Sequence, residues 1–197
     1  MKIGDVAEIL RFRDRREAAF EGEEPDGMEV WGEVKPADLD PLTGFVMPEK
    51  LGKVGVFRYP RHFALKERDI LLCFHGVPAR IGQVGMVVEP VKAIPASVMC
   101  IIRAHGMNPL ALYPLLMQDP VRREFEKLAT FAPKNGKAFL SLDHIRNYEV
   151  KALSYYLDYH DALAVSQMAC EDMIELYKNN RKQMKEFLKR MTDQFYA

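Results

Sequence analysis

The chain has 197 residues, a mass of 22.6 kDa, 48% hydrophobic and 28% charged residues, and three cysteines. That composition excludes a wholly disordered chain, a collagen-like fibre and a disulfide scaffold, and it fits one domain or one domain with an appendage. Twenty-eight basic and 28 acidic side chains cancel, which argues against a bulk nucleic-acid coat but leaves room for a local basic patch.

The cancellation hides blocks of opposite sign. Arg11, Arg13, Arg15 and Arg16 surround Asp14. From Glu17 to Glu49 there are ten acids and one base, Lys35. Six bases against one acid occupy 50–68, and six against one recur in 178–190. Any one such block is also compatible with a solvated surface.

In chain order, Ile3, Val6, Ile9 and Leu10 suit a short strand or a helical turn, and 21–27 is a polar loop with Gly22, Pro25 and Gly27. Val30–Val34 alternates as a strand does. Pro36, Pro41, Gly44 and Pro48 break up the segment after it. Four β-like runs come next, at 54–58, 70–74, 83–88 and 97–103, rich in Val, Ile and Phe and separated by Gly and Pro. Two of them share a pattern: GKVGVFRYP (52–60) and GQVGMVVEP (82–90) match at G-x-V-G-x-x-x-x-P. Two copies are too few for a solenoid, so two similar strands of one sheet are expected. Asn108 is placed to cap a helix starting at Pro109, and a second helix is expected from Asp119 to Leu128. Residues 131–145 read as a loop and then a short element capped by Ser141 or Asp143.

From about Asp161 to Phe195 the chain has neither Gly nor Pro. Cys170, Met173, Tyr177, Met184, Phe187 and Met191 fall on a and d positions of a heptad, Asn180 and Gln194 fill the remaining d positions, and Ile174, Leu188 and Phe195 widen the stripe. About 35 residues at 1.5 Å each make a helix of roughly 50 Å. Two arrangements cover such a stripe: a partner helix, for which Asn180 would help set register, or a fold-back onto the helix's own domain.

Catalytic signatures are missing. There is no GxGxxG, GxxxxGK[ST], HExxH or GxSxG string. Cys73 and His75 would share one side of a strand, but a metal site needs two more ligands and Cys100 is the only remaining thiol near in sequence. Asn108-Pro109-Leu110-Ala111 falls short of the Asn-Pro-Pro-aromatic signature of adenine methyltransferases. No cofactor and no metal are expected. An odd cysteine count without CxxC suits buried thiols in a reducing compartment, the opening MKIGDVAEIL is too short and too acidic for a signal peptide, and no apolar run reaches the length of a membrane helix. A cytoplasmic protein with no membrane partner is expected.

Five strings in order resemble the DNA-specificity subunit of type I restriction-modification systems. KIGDVAEI (2–9) is similar to the opening of a target recognition domain. LKERDILLCFHG (65–76) resembles the family's L-x-x-G-D-I-L-x-x-x-x-G, with Arg68 at the usual Gly. IGQVGMVVEP (81–90) resembles the next strand. ASVMCIIRAHGMNPLALYPLLMQDP (96–120) resembles the Ile-Arg strand with its Pro-x-x-Leu-x-x-x-Leu helix. KNGKAFLSLDHIRNYEV (134–150) resembles the polar loop, Leu-Ser and strand, and the terminal helix takes the place of the spacer helix. The Pro-Pro-x-x-Glu-Gln start of that spacer is replaced by ALSYYLDYHD (152–161). A family member has two recognition domains and two spacers; this chain has room for one of each.

The resemblance implies an α+β fold: a target recognition domain over 1–152 with short twisted strands and flanking helices, then a spacer and dimerisation helix over 153–197 that pairs as an antiparallel coiled coil. It implies a non-catalytic reader of double-stranded DNA, a homodimer joined through Cys170, Met173, Ile174, Tyr177, Asn180, Met184, Phe187, Leu188, Met191 and Phe195, docking a methyltransferase subunit and a restriction subunit. Two-fold symmetry would make its site a gapped palindrome. On charge and loop placement the DNA-contacting candidates are Arg11, Arg13, Arg15, Arg16, Lys53, Arg58, Arg61, His62, His75, Arg80, Lys134, Asn135 and Lys137. Arg reads guanine bidentately, Asn reads adenine, and Lys holds phosphates. Lys134-Asn135-Gly136-Lys137 is the leading loop, and Arg103, ending a strand, is expected to pair with an acid. The basic segment 178–190 has two readings: contact with DNA between half-sites, or complementing the helix C-terminal dipole and an acidic partner surface. Rival functions are a specificity-like protein that binds partners without reading DNA, an uncharacterised nuclease or hydrolase, and a transcription regulator, for which no helix-turn-helix is visible.

Overall fold

A computed structural model describes residues 1–12, 29–56, 63–150 and 159–195, with backbone alone at 56, 159–162, 188–189 and 191–195. The fold is α+β. The expected start resolves into both options in turn: a helical turn α1 (Ile3–Val6) runs directly into strand β1 (Ala7–Leu10).

Four strands form the central antiparallel sheet, in the order β1, β8 (Met99–Ala104), β4 (Ile70–Cys73) and β6 (Val84–Met86). Ile70, Leu71, Leu72 and Cys73 are all buried, because both faces of the sheet are covered. A strand covered on both faces reads as a continuous apolar run rather than an alternation. Ile70 and Leu72, with Ile9, Cys100 and Ile102, face a helical layer; Leu71, Met99 and Ile101 face Val34 and Ala93 of a second sheet. In that second sheet β2 (Glu29–Val34) pairs antiparallel with β3 (Gly52–Val56) and parallel with β7 (Ala93–Pro95). A third, small sheet has the order β5 (His75–Gly76), β10 (Lys137–Phe139) and β9 (Thr130–Ala132).

The shared G-x-V-G pattern does not mark two strands of one sheet. β3 lies in the second sheet and β6 in the central one. The glycines serve different ends. A Cβ on Gly85 would come within 2.6 Å of Leu39 Cδ2 and 2.8 Å of the Gly44 carbonyl, so β6 requires Gly there, whereas Gly55 sits opposite Val30 in a ladder.

Helix α2 (Pro109–Leu116) starts as expected, with the Asn108 side chain accepting from Leu110 N at 3.0 Å. Leu110, Ala111, Leu112, Tyr113, Leu115 and Leu116 are all buried. Apolar residues on every side suit a helix enclosed on every side, and α2 lies between the central sheet and α5 (Tyr159–Phe195). The amphipathic α3 (Asp119–Leu128) buries Val121 and Phe125, and α4 (Leu142–Asn147) is capped by Ser141, which accepts from His144 N at 3.1 Å.

Of the two arrangements open to the C-terminal helix, the fold-back holds for its first half. Cys170 and Tyr177 are buried in the chain's own core, and Leu163, Met173 and Ile174 pack against it. The stripe closes at Arg181, which bonds Glu49 at 2.6 Å, pairs with Glu89, and lies over the Tyr177 ring at 5.6 Å. Cys170, Met173, Ile174 and Tyr177 are therefore not free for a partner helix, as expected of them from the heptad alone; α2 occupies that seam. Asn180 is exposed, and Met184 and Phe187 are 59% and 57% exposed. The side chains of Leu188, Met191 and Phe195 lie outside the described residues. So does the 152/153 boundary. None of the described helices is long and apolar enough to cross a membrane.

The expected partner of Arg103 is Asp69, which is 2% exposed. Arg103 Nε and Nη2 donate to its two carboxylate oxygens at 2.8 and 2.7 Å, and Nη2 also donates to the Ala64 carbonyl at 3.0 Å. The same carboxylate accepts from Lys66 N at 2.8 Å, closing the turn before β4. Arg68 in this turn has φ +71°, a left-handed conformation in which Gly is unstrained. An L-residue there costs about 1–2 kcal/mol, less the roughly 0.5–1 kcal/mol of chain entropy that Gly loses. Arg68→Gly is expected to raise the unfolding free energy by about 0.5–1 kcal/mol in urea titration. Asp69→Ala, which strands a half-buried guanidinium, is expected to lower it by about 3 kcal/mol.

Candidate nucleic-acid interface

Strand alternation puts Arg11, one residue past β1, on the same face as Ile9, at the rim of the helical-side core. Its guanidinium carbon lies 4.9 Å from the centre of the Phe74 ring, and its Nε is buried with no hydrogen-bond partner. A stacked guanidinium is pre-organised as a planar fork. The Phe74 ring meets the Phe139 ring edge-on at 5.9 Å, and Phe139 meets the His75 ring at 6.2 Å. Backbone pairing holds this set in register: His75 opposes Phe139, Gly76 opposes Ala138, and Leu140 N donates to the Phe74 carbonyl at 2.8 Å.

The hairpin joining β9 and β10 turns through 133–136. Gly136 has φ +65°, Asn135 N donates to the Ala132 carbonyl at 3.3 Å, and Lys137 N donates to Asn135 Oδ1 at 3.1 Å. Asn135 thus shapes the turn that presents Lys134 and Lys137, and all four residues of Lys134–Lys137 are exposed. Arg11 and His75 thus join the Phe74–Phe139 aromatic set, and β10 carries Lys137 two residues from Phe139 and leads back to the turn that bears Lys134 and Asn135.

The other candidates are scattered. Lys53 is exposed on β3, opposite Gly32 in the second sheet. Arg80 donates to the Pro36 carbonyl at 3.3 Å and to Gln83 Oε1 at 3.0 Å, beside a cleft of about 350 Å³ that it lines with Arg122, Asp40 and Asp119. Burial pushes the Asp40 carboxyl up, but hydrogen bonds from the Thr43 N–H and hydroxyl and from Leu42 N–H outweigh it and hold it below its ordinary value. Both signs of charge line that cleft, which does not suit a phosphate track. Arg13, Arg15, Arg16, Arg58, Arg61 and His62 lie outside the described residues. Of the basic segment 178–190, Arg181 is held by Glu49 and Glu89 of the same chain.

Sequence reasoning missed the small sheet and its aromatic side chains. Phe131 and Phe139 are 53% and 40% exposed, and Val77 and Leu128, which flank the same strands, are exposed as well. The signal that could have found them was the turn chemistry of Asn135-Gly136 between two three-residue β segments, too short for alternation to register.

No family model and no curated protein matches this chain. Solved structures similar to it include the following two. Both are type I restriction-modification S subunits. The one from M. genitalium has a TM-score of 0.48 and 12% identity over 95% of this chain and 43% of that one. The HsdS subunit from Thermoanaerobacter tengcongensis has a TM-score of 0.46 and 10% identity over 91% of this chain and 38% of that one. The chain spans less than half the length of either.

All three thiols are buried. Burial pushes Cys73 up to about 11, Cys100 to about 12 and Cys170 to about 11. Cys73 Sγ donates to the His75 carbonyl at 3.5 Å, which ties that thiol to the backbone of the strand pair. Raised values leave the reactive thiolate scarce at neutral pH. An aromatic disulfide reagent at pH 8 is expected to titrate almost no thiol in the folded chain and three after unfolding in urea; rapid reaction of any one in the native state contradicts the packing.

Proposed function

We propose that this chain is the DNA-reading, non-catalytic component of a type I restriction-modification system, contributing one target recognition domain and one spacer helix. The observation that carries the reading is the set that links Arg11 and His75 through Phe74 and Phe139 to the hairpin bearing Lys134–Lys137, in a sequence that holds the five family-like strings in order. Arg and Lys supply phosphate contacts and guanine recognition, and the hairpin holds no acid between Thr130 and Phe139. Domain limits of 1–152 and 153–197 accompany this proposal.

The helix acts as the spacer. Because α2 covers the Cys170–Tyr177 seam, pairing uses another face, on which Val165, Met168, Leu176 and Phe187 are exposed; exposed Met184 lies on the seam's own stripe, past Arg181. That face lies about 120° around the helix from the buried seam. A second copy laid antiparallel along it gives two-fold symmetry and sets the distance between half-sites. Duplex DNA, a second copy, the methyltransferase subunit and the restriction subunit are the partners, in the cytoplasm, with no cofactor on this chain.

Selection of bound duplexes from a random pool, at two salt concentrations and with or without the methyltransferase subunit, tests the reading. A gapped palindrome is expected, reduced to single half-sites by Leu176→Glu with Phe187→Glu. Binding that yields no motif and vanishes at the higher salt is phosphate contact alone and defeats it.

A further inference from the structure

We infer that the β9–β10 hairpin enters the major groove and that Phe131 reads thymine through its C5 methyl group, an inference that rests on the DNA-reading function proposed above. A two-stranded ribbon with its side chains matches a groove about 12 Å wide and is too broad for one about 6 Å wide. Lys134 and Lys137 at the tip supply charge complementary to the phosphates lining that groove, and residues 130–139 contain no acid.

The two aromatic side chains of the hairpin are not equivalent. Phe139 is anchored by the edges of Phe74 and His75. Phe131 lies on the outer strand of the small sheet, across from Ala138, whose side chain is too small to cover it. It is 53% exposed on a strand whose outer edge has no partner strand among the described residues, an edge that would otherwise invite pairing with other chains. In the major groove the only apolar group that a base pair presents is the thymine methyl, and phenylalanine is one of the side chains that contact it. Val77 and Leu128 extend the apolar surface around the same strands. The lysines therefore hold the ribbon by the backbone while Phe131 meets the one base feature that an apolar ring distinguishes.

The probe is a duplex enriched from the random pool by the full chain, with the methyltransferase subunit present, synthesised once with thymine and once with deoxyuridine at every thymine. The wild-type chain is expected to bind the deoxyuridine duplex about fourfold more weakly for each methyl contacted, from the transfer value of one buried carbon. Phe131→Ala is expected to bind both duplexes equally, at the wild-type level for deoxyuridine, with an unchanged melting temperature because the ring is exposed. Lys134→Ala with Lys137→Ala is expected to weaken both duplexes alike and to flatten the salt dependence. Equal wild-type affinity for both duplexes, or a thymine preference that survives in Phe131→Ala, overturns the inference and leaves the DNA-reading function standing. Weakened capture of the methyltransferase subunit by Phe131→Ala, with DNA affinity intact, overturns it in favour of a protein surface. Failure to enrich any duplex overturns the DNA-reading function itself and this inference with it.

Discussion

The structure depends on the burial of both faces of β4. Ile70, Leu71 and Leu72 are fully excluded from water, and each contributes about 2 kcal/mol relative to exposure. A strand of this kind needs a layer on each side. On one side β2 and β7 supply Val34 and Ala93; on the other, α2 presents an apolar surface all round and must itself be roofed. The long helix provides that roof. Its first half is thus a structural part of the globular core.

Charge settles where the roof ends. Arg181 reaches Glu49 in the loop before β3 and Glu89 just past β6, and its guanidinium covers the Tyr177 ring, whose hydroxyl donates to the Val46 carbonyl. Beyond this point no described side chain of the helix packs on the core. Glu49 closes the acidic stretch seen in the sequence, so one residue of that stretch is used inside the chain to fix the helix direction. The buried Asp69–Arg103 pair plays the corresponding part at the mouth of β4, where it ties β8 to the turn that carries the strained Arg68.

The joining of Arg11 and the β9–β10 hairpin to the central sheet depends on the same layout. β4 continues into Phe74 and β5, which pair with the hairpin, so the central sheet ends in the small sheet that carries the lysines. Arg11 joins them from β1, although 63 residues separate it from Phe74 along the chain, because β1 and β4 flank β8. The thiols are buried and the cleft beside Arg80 carries charges of both signs, whereas Lys134 and Lys137 stand exposed on the hairpin.

By itself the sequence determined the local elements. Asn108-Pro109 and Asp119-Pro120 place two helix starts, the absence of Gly and Pro after residue 159 makes one long helix, and the apolar runs at 70–74 and 97–103 become β4 and β8. Caps, breakers and hydrophobic runs act over a few residues, so they are legible one segment at a time. Four short strands, β5, β7, β9 and β10, were not legible, because two or three residues show no period and each exists only through its partner. The tertiary structure alone decided the sheet to which each strand belongs, the acid that Arg103 meets, and the covering of the Cys170–Tyr177 seam by α2 rather than by another helix. A heptad states that a face must be buried and is silent on what buries it. The same limit applies to the site: charge picked out the lysines, but the joining of Arg11, His75 and the hairpin, and the exposure of Phe131, come from strand pairings between residues far apart in the chain.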